Sequence, residues 1–325
     1  MEKQIRYCGI DISCDTIDVC LQMPNENIQQ ETFSNDKKGF GLLLKLCGEN
    51  VHFVTESTGV YHLPLCSFLQ EKNARYSVVN ALQVKRYIQM HLERNKSDKK
   101  DARHICQYGM ERQPECYQMP DSIYFECKTI YNSIETLTEE STAFKNKIHS
   151  LEKLDLQDKT ALKSYRKILE TLQKELAKLE ETLTRKLKEW NPEMLELVSS
   201  ITGIGKRASA ILIISTQGFK HTENHRQLIS YAGLSPKEYS SGTSIRGKAR
   251  ICKTGGGKLR HTLYMCALNA KAANPACKAL FDRLVAKGKN KKLAIIAVCN
   301  KLLKQVFAVV KSGIPYDKNY SLNFQ

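Results

Sequence analysis

The stretch IRYCGIDISCDTIDVCLQ, residues 5–22, decides the fold of the N-terminal part of the chain. Ile5, Tyr7, Gly9 and Asp11 would share one face of a strand, and Ile17, Val19 and Leu21 alternate in the next. A period of two on either side of a turn reads as two short strands. The first ends on an acid, Asp11. A carboxylate at the end of a buried strand is costly unless it is paired or binds a cation.

Working outward, DKKGFGLLLKLC (36–47) reads as a helix and VHFVTE (Val51–Glu56) as an apolar strand, again ending in a carboxylate, Glu56. A helix over 61–72 and a strand over Tyr76–Asn80 follow. The order β-β-α-β-α-β predicts an α/β domain with a mixed sheet, occupying residues 1–122. Near its end Ser97 is placed to cap a helix over Ser97–Gly109. Asp98 and Asp101, three apart, lie on one face of that helix beside its positive N-terminal end.

Residues 123–190 change character. Ile130, Ile134, Leu137, Ser141, Phe144, Ile148 and Leu151 recur in steps of four and three. After a break near 154–159 the pattern resumes from Leu162 and Tyr165 to Leu183. This predicts two helices with a coiled-coil seam, either a hairpin within one chain or a dimerising contact between chains. Asn191-Pro192 ends the segment.

Residues 191–325 read as a mostly helical, basic domain. In LVSSITGIGKRASAIL (Leu197–Leu212) apolar residues flank a tight turn through Gly203 and Gly205, followed by Lys206 and Arg207. The pattern resembles a helix-hairpin-helix, in which backbone N–H groups of the turn hold a phosphate without reading bases; a plain glycine-containing helix connection is the rival. Then comes YSSGTSIRGKARICKTGGG (239–257). It sets Ser240 and Ser241 before Gly242, follows them with Arg246, Lys248, Arg250 and Lys253, and ends in three glycines. Taken alone this is a solvated basic loop; its hydroxyls, pliant backbone and cations also suit a phosphodiester. Lys258 and Arg260 open the next helix, and two more follow over 278–288 and Leu293–Lys311, the last apolar nearly all round and so expected in the buried core.

Charge separates the two halves. Residues 1–190 carry 28 Lys and Arg against 28 Asp and Glu, whereas residues 191–325 carry 22 against 6, so the whole excess of 16 lies in the last part. That asymmetry points to a polyanionic partner, most simply nucleic acid. The twelve cysteines are scattered without zinc-ligand spacing and read as reduced. No apolar h-region opens the sequence and no membrane-length apolar window is expected, which makes the cytoplasm the default location and a membrane partner unexpected.

Four acids stand out together: Asp11 and Glu56 at strand ends, Asp98 and Asp101 on one helical turn. Asp15, Asp18, Asp36 and Glu93 read as surface or paired acids. Oxygen-only ligands of that kind suit Mg²⁺ or Mn²⁺ bound with substrate phosphates.

In the order strand, strand, helix, helix, these acids resemble the D-E-D-D form of the RuvC-like, RNase H-type nuclease core. With GIDIS, TESTG, NKSDKKDAR, the heptads, ITGIG, QLISYAGLSP and SSGTSIRGKARICKTGGGKLR taken together, the chain resembles the DEDD-type insertion-sequence transposases, relatives of the Piv and MooV DNA invertases. The match runs in order over nearly the whole length, with no departure in the acids or the serine–glycine pair. The resemblance implies a recombinase acting on donor and target DNA with a C-terminal serine as nucleophile, here Ser241 with Ser240 as the alternative. It implies a bridge (guide) RNA, homodimers joined into homotetramers through the helical segment, and a composite site in which the acids of one subunit meet the serine of another. Gly203, Gly205, Lys206, Arg207, Arg246, Lys248, Arg250, Lys253, Lys258 and Arg260 are then the expected nucleic-acid contacts. The rivals are a metal-dependent RuvC-like nuclease or junction resolvase with water as nucleophile, and a DNA- or RNA-binding protein without catalysis.

Overall fold

The computed structural model describes residues 5–23, 27–57, 59–91, 97–154, 159–237, 240–241, 245–246 and 250–319. They form two compact units, Met1–Met119 and Pro120–Gln325.

Unit 1 is built on a five-stranded sheet in the order β3-β2-β1-β4-β5. β1 (Arg6–Ile12), β2 (Thr16–Gln22) and β3 (Ile28–Ser34) form an antiparallel meander, and β4 (Val51–Glu56) and β5 (Arg75–Val79) add to β1 in parallel. This mixed sheet is consistent with a RuvC-like domain. The expected order lacked β3. Its sequence, IQQETFS, is mostly exposed at the sheet edge, so it carries no apolar alternation to reveal it. On one face α1 (Lys37–Cys47) and α2 (Leu63–Glu71) bury Phe40, Leu43, Leu65 and Leu69 against Cys8, Ile10, Ile17 and Val19. On the other lie α3 (Ala81–Met90), also unforeseen, and α4 (Asp98–Arg112), which packs Ala102, Ile105 and Cys106 against Tyr7, Cys20 and Val54.

Unit 2 opens with α5 (Ser122–Glu152) and α6 (Thr160–Trp190), 31 residues each. They pack antiparallel within the chain: Tyr124 meets Trp190 at one end and Phe144 meets Tyr165 further along. The heptad positions lie between them, buried or half-buried. The foot of this helical hairpin (Tyr124, Cys127, Tyr131, Ile134, Leu183, Leu187) shares one core with the C-terminal helices. Those are α7 (Pro192–Ser199), α8 (Lys206–Ser215), α9 (His225–Tyr231), α10 (Gly257–Ala273), α11 (Pro275–Ala286) and α12 (Lys291–Ser312).

One expectation is corrected by α12. Its 22 residues include a window of mean hydropathy 1.8, long and apolar enough to cross a membrane by length and composition. The reason for that character is packing: Ala294, Val298, Cys299, Leu302, Leu303 and Val306 are fully buried in the core of unit 2. The expected helices over 258–273, 278–288 and 293–311 are present as α10, α11 and α12 with shifted ends.

Candidate active site

In unit 1 the four acids are brought together by strand register and one helix contact. The β1–β4 ladder runs to Ile10 opposite Thr55, and its next step sets Asp11 beside Glu56. Gly9 and Val54, register partners two residues before the acids, mark the face on which both acids stand. α4 covers that face. A β-carbon at Gly9 would lie 2.2 Å from the Cys106 nitrogen, and one at Gly109 would lie 2.9 Å from both Tyr7 and Val54 side chains. Gly9 therefore lets helix and sheet meet backbone to backbone, and Gly109 makes room for the Tyr7 and Val54 side chains. The buried stripe of α4, Ala102, Ile105, Cys106 and Gly109, continues N-terminally into Asp101, half-buried, and Asp98, exposed. Ser97 caps the helix, its hydroxyl accepting from the Lys100 N–H at 3.4 Å. Gln30 of β3 holds the same turn by donating to the Lys99 carbonyl at 2.8 Å.

Electrostatics record the convergence. Burial, then the charges of Asp101, Glu56 and Asp98, push the Asp11 carboxyl up from 3.8 to about 6. Among the described residues no three acid, histidine or cysteine side chains close to metal-ligating separation, so the carboxylates surround Asp11 without forming a finished cage. The donor set nevertheless fits a hard dication: it is all oxygen, and a positive charge would reverse the penalty that Asp11 carries. Asp18, read as a surface or paired acid, is the register partner of Asp11 and accepts from the Thr32 hydroxyl at 2.6 Å. Nothing in its own sequence context marks that pairing; the strand register does.

In unit 2 the serine stretch is not a plain loop. β6 (Pro236–Lys237) pairs antiparallel with β9 (Arg250–Ile251), and β7 (Ser240–Ser241) with β8 (Ile245–Arg246). Ser240 stands opposite Arg246 and Ser241 opposite Ile245. Two residues lie between Lys237 and Ser240 but three between Arg246 and Arg250, so the returning arm is one residue longer. Gly242 and Lys248 lie outside the described residues. The root of this ribbon is fixed by backbone bonds from Cys252 to Ser235, Lys253 to Gly233 and Gly256 to Tyr231. It therefore rises between the end of α9 and the start of α10. Arg250 and Lys253 are exposed along it.

The remaining expected cations divide. Arg260 turns inward, its Nη1 donating to the Ala232 carbonyl at 3.1 Å, where it braces the ribbon root. Lys258 is exposed and 3.8 Å from Glu139. Gly203, at φ +103°, would set a β-carbon 2.7 Å from that of Ala270, so it serves the packing of the α7–α8 turn on α10. Gly205 caps α8 with open space around it, and Lys206 is exposed beside it. Arg207 donates to Glu135 of α5 from Nε (3.2 Å) and Nη2 (2.5 Å), and to the Thr138 hydroxyl. Lys206 and Arg207 line a cleft of about 490 Å³ at the foot of the helical hairpin.

Comparison with known proteins gives one consistent result. A family model for the DEDD transposase domain of IS110, described as a transposase, matches residues 8–155, and one described as "Transposase IS116/IS110/IS902 family" matches residues 195–282. The pilin gene-inverting proteins of Moraxella bovis and Moraxella lacunata are each 29% identical over 330 residues, covering 96% of this chain and 98% of the relative. An insertion element IS110 protein of 43.6 kDa from Streptomyces coelicolor is 30% identical over 121 residues, 37% of this chain and 30% of that protein. With the acids in one matched segment and the serine ribbon in the other, the chain belongs to the DEDD-type transposases of the IS110 family.

Proposed function

We propose that this transposase recombines donor and target DNA through a covalent phosphoserine intermediate, with Asp11, Glu56, Asp98 and Asp101 holding Mg²⁺ or Mn²⁺. The observation that carries the reading is the Asp11 carboxyl, raised by burial and by three other acids drawn from two further elements. A dication bound there would neutralise charge on the scissile phosphate. Asp98, the most exposed of the four, or Asp101 would take the serine proton. Ser241 Oγ would attack phosphorus, the bond from phosphorus to the leaving strand oxygen would break, and that oxygen would depart as a hydroxyl. A hydroxyl of the new strand would then attack the phosphoserine and release Ser241. Each exchange conserves one phosphodiester, so no external energy source is required.

The exposed cations Arg250, Lys253, Lys206 and Lys258, with Arg246 and Lys248, would hold the backbone, as would the α7–α8 turn if it acts as a helix-hairpin-helix. A guide RNA pairing with donor and target DNA would supply sequence choice. Homodimers assembled into homotetramers through α5 and α6 would bring the acids of one subunit to the serine of another. The basic charge of residues 191–325 supports the nucleic-acid contacts, and the family matches support DNA as the substrate.

The test is a denaturing gel after incubation with element-end DNA, divalent ion and the copurifying RNA. Wild type gives a protein–DNA adduct and Ser241→Ala gives none. Undiminished strand cutting by Ser241→Ala would instead establish water as the nucleophile and a nuclease of RuvC type. Recombination that persists after the RNA is removed would take the guide out of the scheme.

A further inference from the structure

We propose that the groove between α11 and α12 binds the sugar–phosphate backbone of a nucleic-acid strand, a contact separate from the serine ribbon and the α7–α8 turn. The inference rests on the nucleic-acid reading above and adds a surface to it. The groove measures about 560 Å³ and is floored by Ala276, Ala279 and Ala297, with Arg283, Lys301 and Lys304 around it. No carboxylate lines it, and among the described residues no ion pair engages these three cations.

The two helices run antiparallel, as Cys277 facing Gln305 shows. Arg283 therefore sits at one end of the groove, across from Ala297, and Lys304 at the other, across from Ala276. Ala276 and Arg283 are seven helical steps apart, roughly 10 Å at about 1.5 Å per step. Projected on a duplex axis that is about three phosphates of one strand, at about 3.4 Å of rise each. Charges at both ends and methyl groups between them admit a chain whose charge recurs at intervals and whose sugars need close approach. A packed ion-pair network would have placed acids among the cations, as α6 does with Glu170 and Lys174 or Glu175 and Lys178. Arg283, Lys301 and Lys304 lie beyond residue 282, where the second family match ends, so the family motifs do not assign them.

The experiment uses the full chain carrying Arg283→Gln, Lys301→Gln and Lys304→Gln together. Binding to a short single-stranded RNA and to a short DNA duplex of unrelated sequence is titrated across a salt series. In the arm that the groove serves, the slope of log K against log salt falls by about 2 to 3 and affinity drops on the order of 100-fold at physiological salt. A control removes the same charge from exposed α6 positions, Lys163→Gln, Lys167→Gln and Arg185→Gln, and keeps both quantities. Loss in the RNA arm alone assigns the groove to RNA, and loss in the DNA arm alone to DNA. An unchanged slope in both arms, or an equal loss in the control, overturns the proposal. The titration reads binding with no strand cutting, so a failure of the serine chemistry leaves the groove test intact.

Discussion

Gly9 of β1 and Cys106 of α4 meet so closely that a β-carbon on Gly9 would lie 2.2 Å from the Cys106 nitrogen and 2.3 Å from the Ala102 carbonyl oxygen. Both neighbours are backbone, so neither can swing aside. Gly9→Ala must lift the helix, and Asp98 and Asp101 travel with it. Overpacking of this kind costs about 1–3 kcal/mol, read as a lower melting temperature of unit 1. A misplacement near 1 Å costs on the order of 100-fold in rate, so recombination falls far more than stability does. A Gly9→Ala variant that unfolds earlier yet recombines at the wild-type rate would separate the helix contact from the chemistry.

The Asp11 carboxyl supplies a pH signature. Its folded-state value is about 6 against an ordinary 3.8, so the folded chain holds this proton more tightly than the unfolded chain. Stability from this group therefore falls as pH rises between about 4 and 6 and stays low above that range. Asp11→Asn removes the penalty: without divalent ion it melts a few degrees above wild type at pH 7.5, and the gap closes near pH 4. Mg²⁺ raises the wild-type melting temperature at pH 7.5 and leaves that of Asp11→Asn unmoved. Recombination by the variant is lost. Equal Mg²⁺ responses from the two proteins would remove the dication from Asp11.

Much of this site is written in local sequence, and what is missing has physical reasons. Asp11 and Glu56 are legible because each closes an apolar run, and Asp98 and Asp101 because Ser97 announces a helix start. β3 is invisible since none of its residues is buried on either face, and such an edge strand keeps no apolar alternation. The ribbon carrying Ser240 and Ser241 has only two-residue ladders, too short for periodicity to show. The pairing of Asp18 with Asp11 depends on register, and the roles of Gly203 and Arg260 depend on partners 67 and 28 residues away in Ala270 and Ala232. Arg207 illustrates the same limit: a cation following a glycine turn reads as a phosphate ligand, while its carboxylate partner sits on a helix 72 residues earlier.

That partner makes Arg207 testable. Its fork is held by Glu135, whose side chain is 16% exposed, while Arg207 remains 43% exposed. Glu135→Gln weakens the hold without changing the shape. If Arg207 serves phosphate, the variant binds DNA more tightly and its salt slope steepens by about 1. If Arg207 serves only to pin α8 to α5, the variant melts earlier and the slope stays as it was. Salt-dependent binding and thermal melting of the same preparation distinguish the two.

The last prediction turns on the ribbon register. Ser240 is paired across the ladder with Arg246 and Ser241 with Ile245. Adjacent serines on a strand do not share a face, so a nucleophile at one position is not replaced by its neighbour without rebuilding the ribbon. The expected outcome is therefore all-or-none. Ser241→Ala gives no protein–DNA adduct, Ser240→Ala keeps adduct formation within a few-fold of wild type, and the double variant matches Ser241→Ala. Peptide mapping of the trapped adduct places the phosphate on Ser241. If instead Ser240→Ala abolishes the adduct and Ser241→Ala keeps it, the nucleophile is the serine whose register partner is Arg246.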